Sequence, residues 1–327
     1  MTPPAPAPSA AGVRRLVLDT DVAMGAPGSD IDDGFAIALA VADPALRLEL
    51  VTTVDGNTDV DSATALAVEL LHRLGHGEVP VVRGAAGPLA DPWRPRERAA
   101  DVLERFGHRR PVPGRAAEAL VRHITASPGE ITLVAIGPLT NVATAMLLEP
   151  RIARDVREIV VMGGYFTGHQ GNVRVPGEFN IWADPEAARI VLRSGARLRF
   201  VGLDVTYQVR MSRDQAARLA SHGGDFGRFA GECGLAWIET LRHRYPGSAT
   251  RDSFHLHDPL AVAAVTHPEL IGWRRAHVAV ATDGVARGIT VADLLGTRDA
   301  PEPNCEIADT VDVPAFLDLF LRRVGAL

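Results

Sequence analysis

Six short runs of aliphatic and β-branched residues recur along the first two thirds of the chain: RLVLD from Arg15, RLELVTTV from Arg47, VPVV from Val79, EITLVAI from Glu130, EIVVMGG from Glu158 and RLRFVGLDV from Arg197. Such runs read as strands buried on both faces. Between them, residues 59–75, 115–126, 139–148 and 184–194 carry apolar side chains at helical spacing. A chain that alternates strand and helix in this way brings each strand back in the same direction. The expectation is an α/β fold: an open, mainly parallel, Rossmann-like sheet flanked by helices. After Val205 the pattern turns helical from about 212 to 245, and AHVAVAT and GITVAD then supply further strands. The segment around 212–250, ending in the loop-like RYPGSATRDS, is expected to cap the sheet. Asp43-Pro44, Asp184-Pro185 and Asp258-Pro259 each read as an acidic N-cap followed by proline at the first helical position.

With 327 residues, 46% of them hydrophobic, the chain can bury a sizeable core. The expected organisation is a flexible tail, MTPPAPAPSAAG at 1–12, and a single α/β domain over 13–327. A net charge of -6 with no basic run argues against a nucleic-acid partner. All 34 cationic side chains are arginine, so chemistry that needs an amine is excluded. Cys233 and Cys305 lie in unrelated contexts and indicate neither a disulfide framework nor a thiolate zinc site, which fits a reducing cytoplasm. The longest apolar runs fall well short of the roughly 18 residues of a membrane span, so no membrane partner is expected.

In open α/β sheets, ligands bind beyond the carboxyl ends of the strands. Here those ends read Asp19 and Asp21, then Asp55-Gly56-Asn57, Ile136-Gly137, Gly163-Gly164 and Asp204, which are almost all oxygen donors or glycine. The stretch DTDVAMGAPGSDIDDGFAI, residues 19–37, holds five aspartates and no basic residue. Converging carboxylates repel unless protons or a cation neutralise them, and an oxygen-only set favours Ca²⁺ or Mg²⁺ over zinc. Taken singly, Asp32 or Asp33 reads as a helix cap and Asp19 as the end of a strand, but one cap needs only one acid. In the same way Asp258 reads as a cap and His257 as a loop residue. In NVRVPGEFNIWADP, turn chemistry accounts for Asn172 and Asn180 but leaves Glu178 unexplained.

Together these stretches resemble the inosine-uridine-preferring nucleoside hydrolase family, which cleaves the N-glycosidic bond of ribonucleosides with a bound Ca²⁺. DTD with DIDDGFAI, DGN at 55–57, LVAIGPLTNVA at 133–143, VVMGGYFTG at 160–168, GNVRVPGEFNIWADPEAA at 171–188, GLDVT at 202–206, HDPLAVA at 257–263 and PNCEIADTVD at 303–312 run in family order over nearly the whole chain. The resemblance implies that the side chains of Asp21, Asp33 and Asp258 and the carbonyl of Ile136 ligate Ca²⁺. It implies that Asp32, Asn57, Asn172, Glu178 and Asn180 grip the ribose hydroxyls, with Asp19 supporting them from behind. Asp21 would be the general base toward water and His257 the acid toward the nucleobase. Homodimers or homotetramers are implied as well. Three departures stand out: VAMGAPGSDI intervenes between Asp21 and Asp32, Ile136 replaces a commonly seen threonine, and Asp55 is an additional acid. Asp30 is placed outside the metal's ligands.

Two other enzyme classes fit poorly. Hydrolases that phosphorylate the first aspartate of a VLDTDV-like strand end generally need a lysine, and this chain has none. MGGYFTG lacks the glycines of a dinucleotide fingerprint. Two alternatives remain open: a catalytically inactive relative that binds nucleosides or sugars, and a hydrolase of an unusual riboside in a specialised pathway. Trp237, His243, Tyr245, Tyr165, Tyr207 and Trp182 are each read first as packing residues.

Overall fold

The computed structural model describes residues 12–90, 99–168, 171–173, 177–247 and 252–327. The expected N-terminal tail, apart from Gly12, lies outside these residues, as do the centre of the 244–253 loop and 174–176 of the 172–185 stretch. In chain order the strands are β1 (Arg14–Thr20), β2 (Leu46–Thr53), β3 (Val81–Arg83), β4 (Ile131–Ala135), β5 (Glu158–Met162), β6 (Leu198–Val201), β7 (Arg210–Ser212), β8 (Ser253–His255), β9 (Ile271–Val280), β10 (Thr290–Asp293) and β11 (Cys305–Val311).

Nine of these strands form one sheet in the order β10-β9-β11-β6-β5-β4-β1-β2-β3. All neighbours from β3 through to β11 pair in parallel, whereas β9 and β10 are antiparallel. The strand alternation reads through directly: side chains of one strand leave on opposite faces, so Leu16 and Leu18 enter one core and Val17 the other. Strand order reverses on either side of β1, which pairs with both β2 and β4. A crevice opens at such a switch point, just past the carboxyl ends of the strands. Asp19, Asp21 and Ile136 end β1 and β4 at that place.

The four sequence-read helices appear as Val60–Arg73, Ala116–Thr125, Thr140–Leu148 and Pro185–Leu192. Of the three Asp-Pro pairs, only Asp184 caps as expected, accepting the Ala187 N–H. Asp43 instead closes the helix Asp32–Ala42, so Pro44 lies in a turn. Asp258 lies inside the helix His257–Thr266, one residue past its start. Proline is tolerated anywhere in a first helical turn, so the dipeptide alone does not set the cap position. The end of RLRFVGLDV also differs: after Val201 the chain turns into the short helix Leu203–Thr206.

The segment expected as a cap forms the helices Arg213–His222 and Asp225–Arg244, flanked by a two-stranded antiparallel ribbon of β7 and β8. Phe35 ties this cap to the rest. Its ring lies 5.9 Å from that of Phe254 in β8, 6.3 Å from Phe226 in the cap and 5.7 Å from Phe320 in the helix Val313–Val324. Phe35→Ala is expected to cost about 3–5 kcal/mol in urea unfolding. A loss below about 1 kcal/mol, the size of an ordinary substitution, would show that this aromatic cluster does not anchor the cap.

Candidate active site

Three carboxylates meet beyond β1 and β4. Asp32 and Asp33 open the helix Asp32–Ala42, and Asp258 sits in the first turn of His257–Thr266. All three are buried, each offering an oxygen within 4.8 Å of the other two. The backbone joins them, as the Asp258 N–H donates to Asp32 Oδ2 at 2.9 Å. Asp33 accepts from Thr20 Oγ1 at 2.5 Å and from Asn57 Nδ2 at 3.1 Å. Neither Asp32 nor Asp33 is the helix N-cap, which falls on Ile31, so capping does not account for them.

Asp21, fully buried, accepts the Asn57 N–H on Oδ2 at 2.6 Å. Gly56 permits that approach: a Cβ there would stand 1.9 Å from the same oxygen. Asp19 sits deeper, held by Thr52 Oγ1 at 2.5 Å and Asn141 Nδ2 at 2.8 Å. Asn141 is not evident as a site residue from the sequence, although it also donates to the Thr53 carbonyl and accepts from Ala85 N–H. Its motif, GPLTNVA, is legible, but its role depends on three segments distant in sequence.

On the far side, the Asn180 amide donates to the Ile136 carbonyl at 2.9 Å and to that of Met162 at 3.2 Å. Glu178 does have a local role, because it caps the helix Phe179–Ala183, accepting from Asn180 and Ile181 N–H at 2.8 and 3.0 Å and from Gly164 N–H at 3.2 Å. Glu178, Asn180 and Ile136, with Asp32, Asn57 and Asp258, line an inner recess of about 50 Å³. Asn172 and Asp30 reach the same recess, so Asp30 is closer to the site than expected.

The recess continues into an outer cavity of about 570 Å³, sharing Asp30, Asn57, Asn172, Phe179 and His257 with it. Trp237, Tyr207 and Tyr245, read from sequence as packing residues, line this cavity, as do Arg210 and His255, which the sequence does not single out. The His257 ring accepts or donates at Nδ1 to Thr206 Oγ1, 2.7 Å away. Burial, reinforced by the Arg210 charge, holds its pKa well below 6.5, so the imidazole is neutral. Asp55 stays half-buried, its N–H bound to the Ala85 carbonyl.

Burial also dominates the carboxylates. Asp32 and Asp258 are pushed well above 3.8, first by desolvation, then by neighbouring acids: Asp30 and Asp33 on Asp32, Asp32 and Asp33 on Asp258. Asp33 is raised by burial too. A cation among them would reverse the sense of these shifts, and the donor set fits one. It is all oxygen, three-fold anionic and compact, since oxygens about 2.4 Å from a shared Ca²⁺ lie at most about 4.8 Å apart. Asp19 Oδ2 has no hydrogen-bond partner among the described residues, and burial raises that carboxyl to about 7.

A doubly wound sheet with a polar recess at its switch point defines an α/β enzyme site. Residues 16–318 match the sequence profile of the inosine-uridine preferring nucleoside hydrolase family. The chain is 36% identical over 320 residues to probable uridine nucleosidase 1 of Oryza sativa subsp. japonica, a match spanning 93% of this chain and 94% of that protein. It is 36% identical over 309 residues to the non-specific ribonucleoside hydrolase RihC of Salmonella newport (strain SL254), spanning 92% and 94% respectively. The solved structure of a plant nucleoside hydrolase, the PpNRh1 enzyme, superposes with a TM-score of 0.85 at 31% identity, over 96% of this chain and 99% of that one. The chain therefore belongs to the inosine-uridine preferring nucleoside hydrolase family and is a nucleoside hydrolase. Among the described residues no helix is long and apolar enough to cross a membrane.

Asp19 and Glu178, both raised to about 7, bind protons in the folded chain that the unfolded chain releases above its ordinary carboxyl values. Their contribution to stability is complete below those ordinary values and is lost as pH rises through about 7. In chelator, the melting temperature is expected to rise between about pH 8.5 and about pH 5.5, and Glu178→Gln to flatten the rise. A wild-type profile that falls over that interval would refute the assignment.

Proposed function

We propose that the protein hydrolyses ribonucleosides to ribose and free nucleobase with the help of a bound Ca²⁺. The observation that carries this reading is the buried Asp32, Asp33 and Asp258 group at the switch point, in a chain of this family. The ribonucleoside substrate is supported by the names of the relatives. Asp21, Asp33 and Asp258, with the Ile136 carbonyl, are assigned to Ca²⁺, and Asp32 is close enough to share in holding it. When bound, the ion supplies Lewis acidity that lowers the pKa of a water.

Asp32, Asn57, Asn172, Glu178 and Asn180 would bind the ribose hydroxyls, with Asp19 and its partners keeping β1 in place behind them. Asn180, whose amide is committed to two carbonyls, presents its side-chain oxygen as acceptor. Asp21, its Oδ2 fixed by Asn57 N–H, accepts the proton of the attacking water as general base. As the glycosidic bond lengthens, positive charge grows on the sugar, and a recess walled by carboxylates stabilises it more than it stabilises the ground state. His257 faces the base as a neutral imidazole, oriented through Thr206.

The same reading treats 13–327 as one catalytic domain and places it in the cytoplasm, in keeping with the free thiols of Cys233 and Cys305. It also includes a homodimer or homotetramer, supported by exposed Val285, Val291 and Leu295 beside the edge strand β10.

Ribose release from inosine, uridine, cytidine, adenosine and nicotinamide riboside should occur with calcium and stop with chelator. Asp21→Ala should lower kcat by about 10²–10⁴-fold or more. Binding of these ribosides without ribose release from any would favour the inactive sugar-binding relative instead.

A further inference from the structure

The β7–β8 ribbon places a fixed positive charge in the cavity wall, and the ribose chemistry above makes no use of it. Arg210, Met211 and Ser212 pair with His255, Phe254 and Ser253. Alternation sends Met211 and Phe254, 1% and 0% exposed, into the core and leaves Arg210, His255 and Ser253 lining the cavity. The guanidinium is held in place from two sides: Nε donates to Ser253 Oγ at 2.8 Å and Nη1 to His255 Nε2 at 2.8 Å.

A guanidinium can only donate, so His255 Nε2 is the acceptor and the ring proton sits on Nδ1. Burial and the Arg210 charge push His255 down to about 3, while the carbonyls of Val209, Thr206 and Tyr207 oppose that shift. The ring is thus a permanent acceptor for Arg210. It also lies 5.0 Å from the His257 ring, tilted by 31°, which places the Arg210–His255 pair beside the residue that borders both recess and outer cavity.

We propose that Arg210 is a catalytic residue that stabilises the departing nucleobase, with His255 and Ser253 as positioning residues for its guanidinium. The role rests on the hydrolase reading. In the step concerned, the C1′–N bond breaks and its electron pair stays on the base, spreading over ring nitrogens and exocyclic oxygens. A water oxygen bonds to C1′ and its proton passes to Asp21. The base leaves as an anion facing Arg210 and takes its proton from solvent after release. A charge already oriented in a partly buried wall costs no reorganisation when the anion forms, and a guanidinium keeps it at any working pH.

The test compares uridine with 4-nitrophenyl riboside, whose leaving group departs readily without assistance. Arg210→Met should lower kcat on uridine by about 100-fold or more, with a loss at least about tenfold smaller on the nitrophenyl riboside. Arg210→Lys should recover part of the uridine rate. His255→Ala should lower kcat on uridine rather than raise KM, and His255→Gln, which keeps an acceptor, should restore it in part. Equal losses on both substrates, or none on either, would overturn the role and leave Arg210 a strut of the ribbon. If Arg210→Met fails to fold, Arg210→Lys and His255→Ala decide by the same ratio. A wild-type protein that released ribose from neither substrate would instead overturn the hydrolase reading itself, and this role with it.

Discussion

The burial of several carboxylates in one place is the constraint on which the rest of the site depends. Asp19, Asp21, Asp32, Asp33 and Asp258 are all at most 3% exposed. In such surroundings each charge is costly unless hydrogen bonds or a counter-charge meet it. The protein supplies donors that stay neutral: the hydroxyls of Thr20 and Thr52, the amides of Asn57 and Asn141, and backbone N–H groups of Asn57 and Asp258. A basic side chain in their place would satisfy the acids and close the site to a cation. The recess therefore stays strongly electron-rich, and the metal binding and the stabilisation of a cationic sugar proposed above would both follow from that one property.

The outer cavity has the opposite character. Its wall is built from aromatic rings, two histidines and the Arg210 guanidinium, supplied by the cap helix, the β7–β8 ribbon and the turn after β6. A substrate that spans the two would place its sugar among carboxylates and its base against a cation. This polarity matches the charge separation produced when a glycosidic bond breaks. The segment between Asp21 and Asp32, read from sequence as a departure from the family pattern, belongs to the same division. Gly28 and Ser29 line the outer cavity, and the Gly28 carbonyl accepts from Arg244 of the cap at 3.1 Å. That segment thus joins the cap beside the outer cavity.

Several parts of this arrangement are legible before folding. The run RLVLDTD shows both that β1 is buried and that acids end it, because an uninterrupted apolar run can only be central in the sheet. HDP goes only part of the way: its spacing reads as a cap, whereas Asp258 lies inside the helix and joins Asp32 and Asp33. Glu178 goes the other way: its carboxylate caps a helix that the spacing does not reveal, since that helix has only five residues. Arg210, His255 and Ser253 leave no sequence signal, because strands of three residues carry no readable alternation. Their meaning exists only across the ribbon.

What the sequence determined by itself is the parallel α/β sheet, the loops at its carboxyl edge and the oxygen-rich chemistry gathered there. These follow from periodicity and residue type, which are local. Tertiary structure alone decided which acids share a point, that Asn141 braces Asp19 against β2, that Trp237 and Tyr207 border a cavity as well as packing on the core, and that Arg210 stands opposite His255. Each of those is a contact between segments far apart in the chain. Distances of that kind are set by packing and strand register, quantities that no stretch of sequence contains on its own.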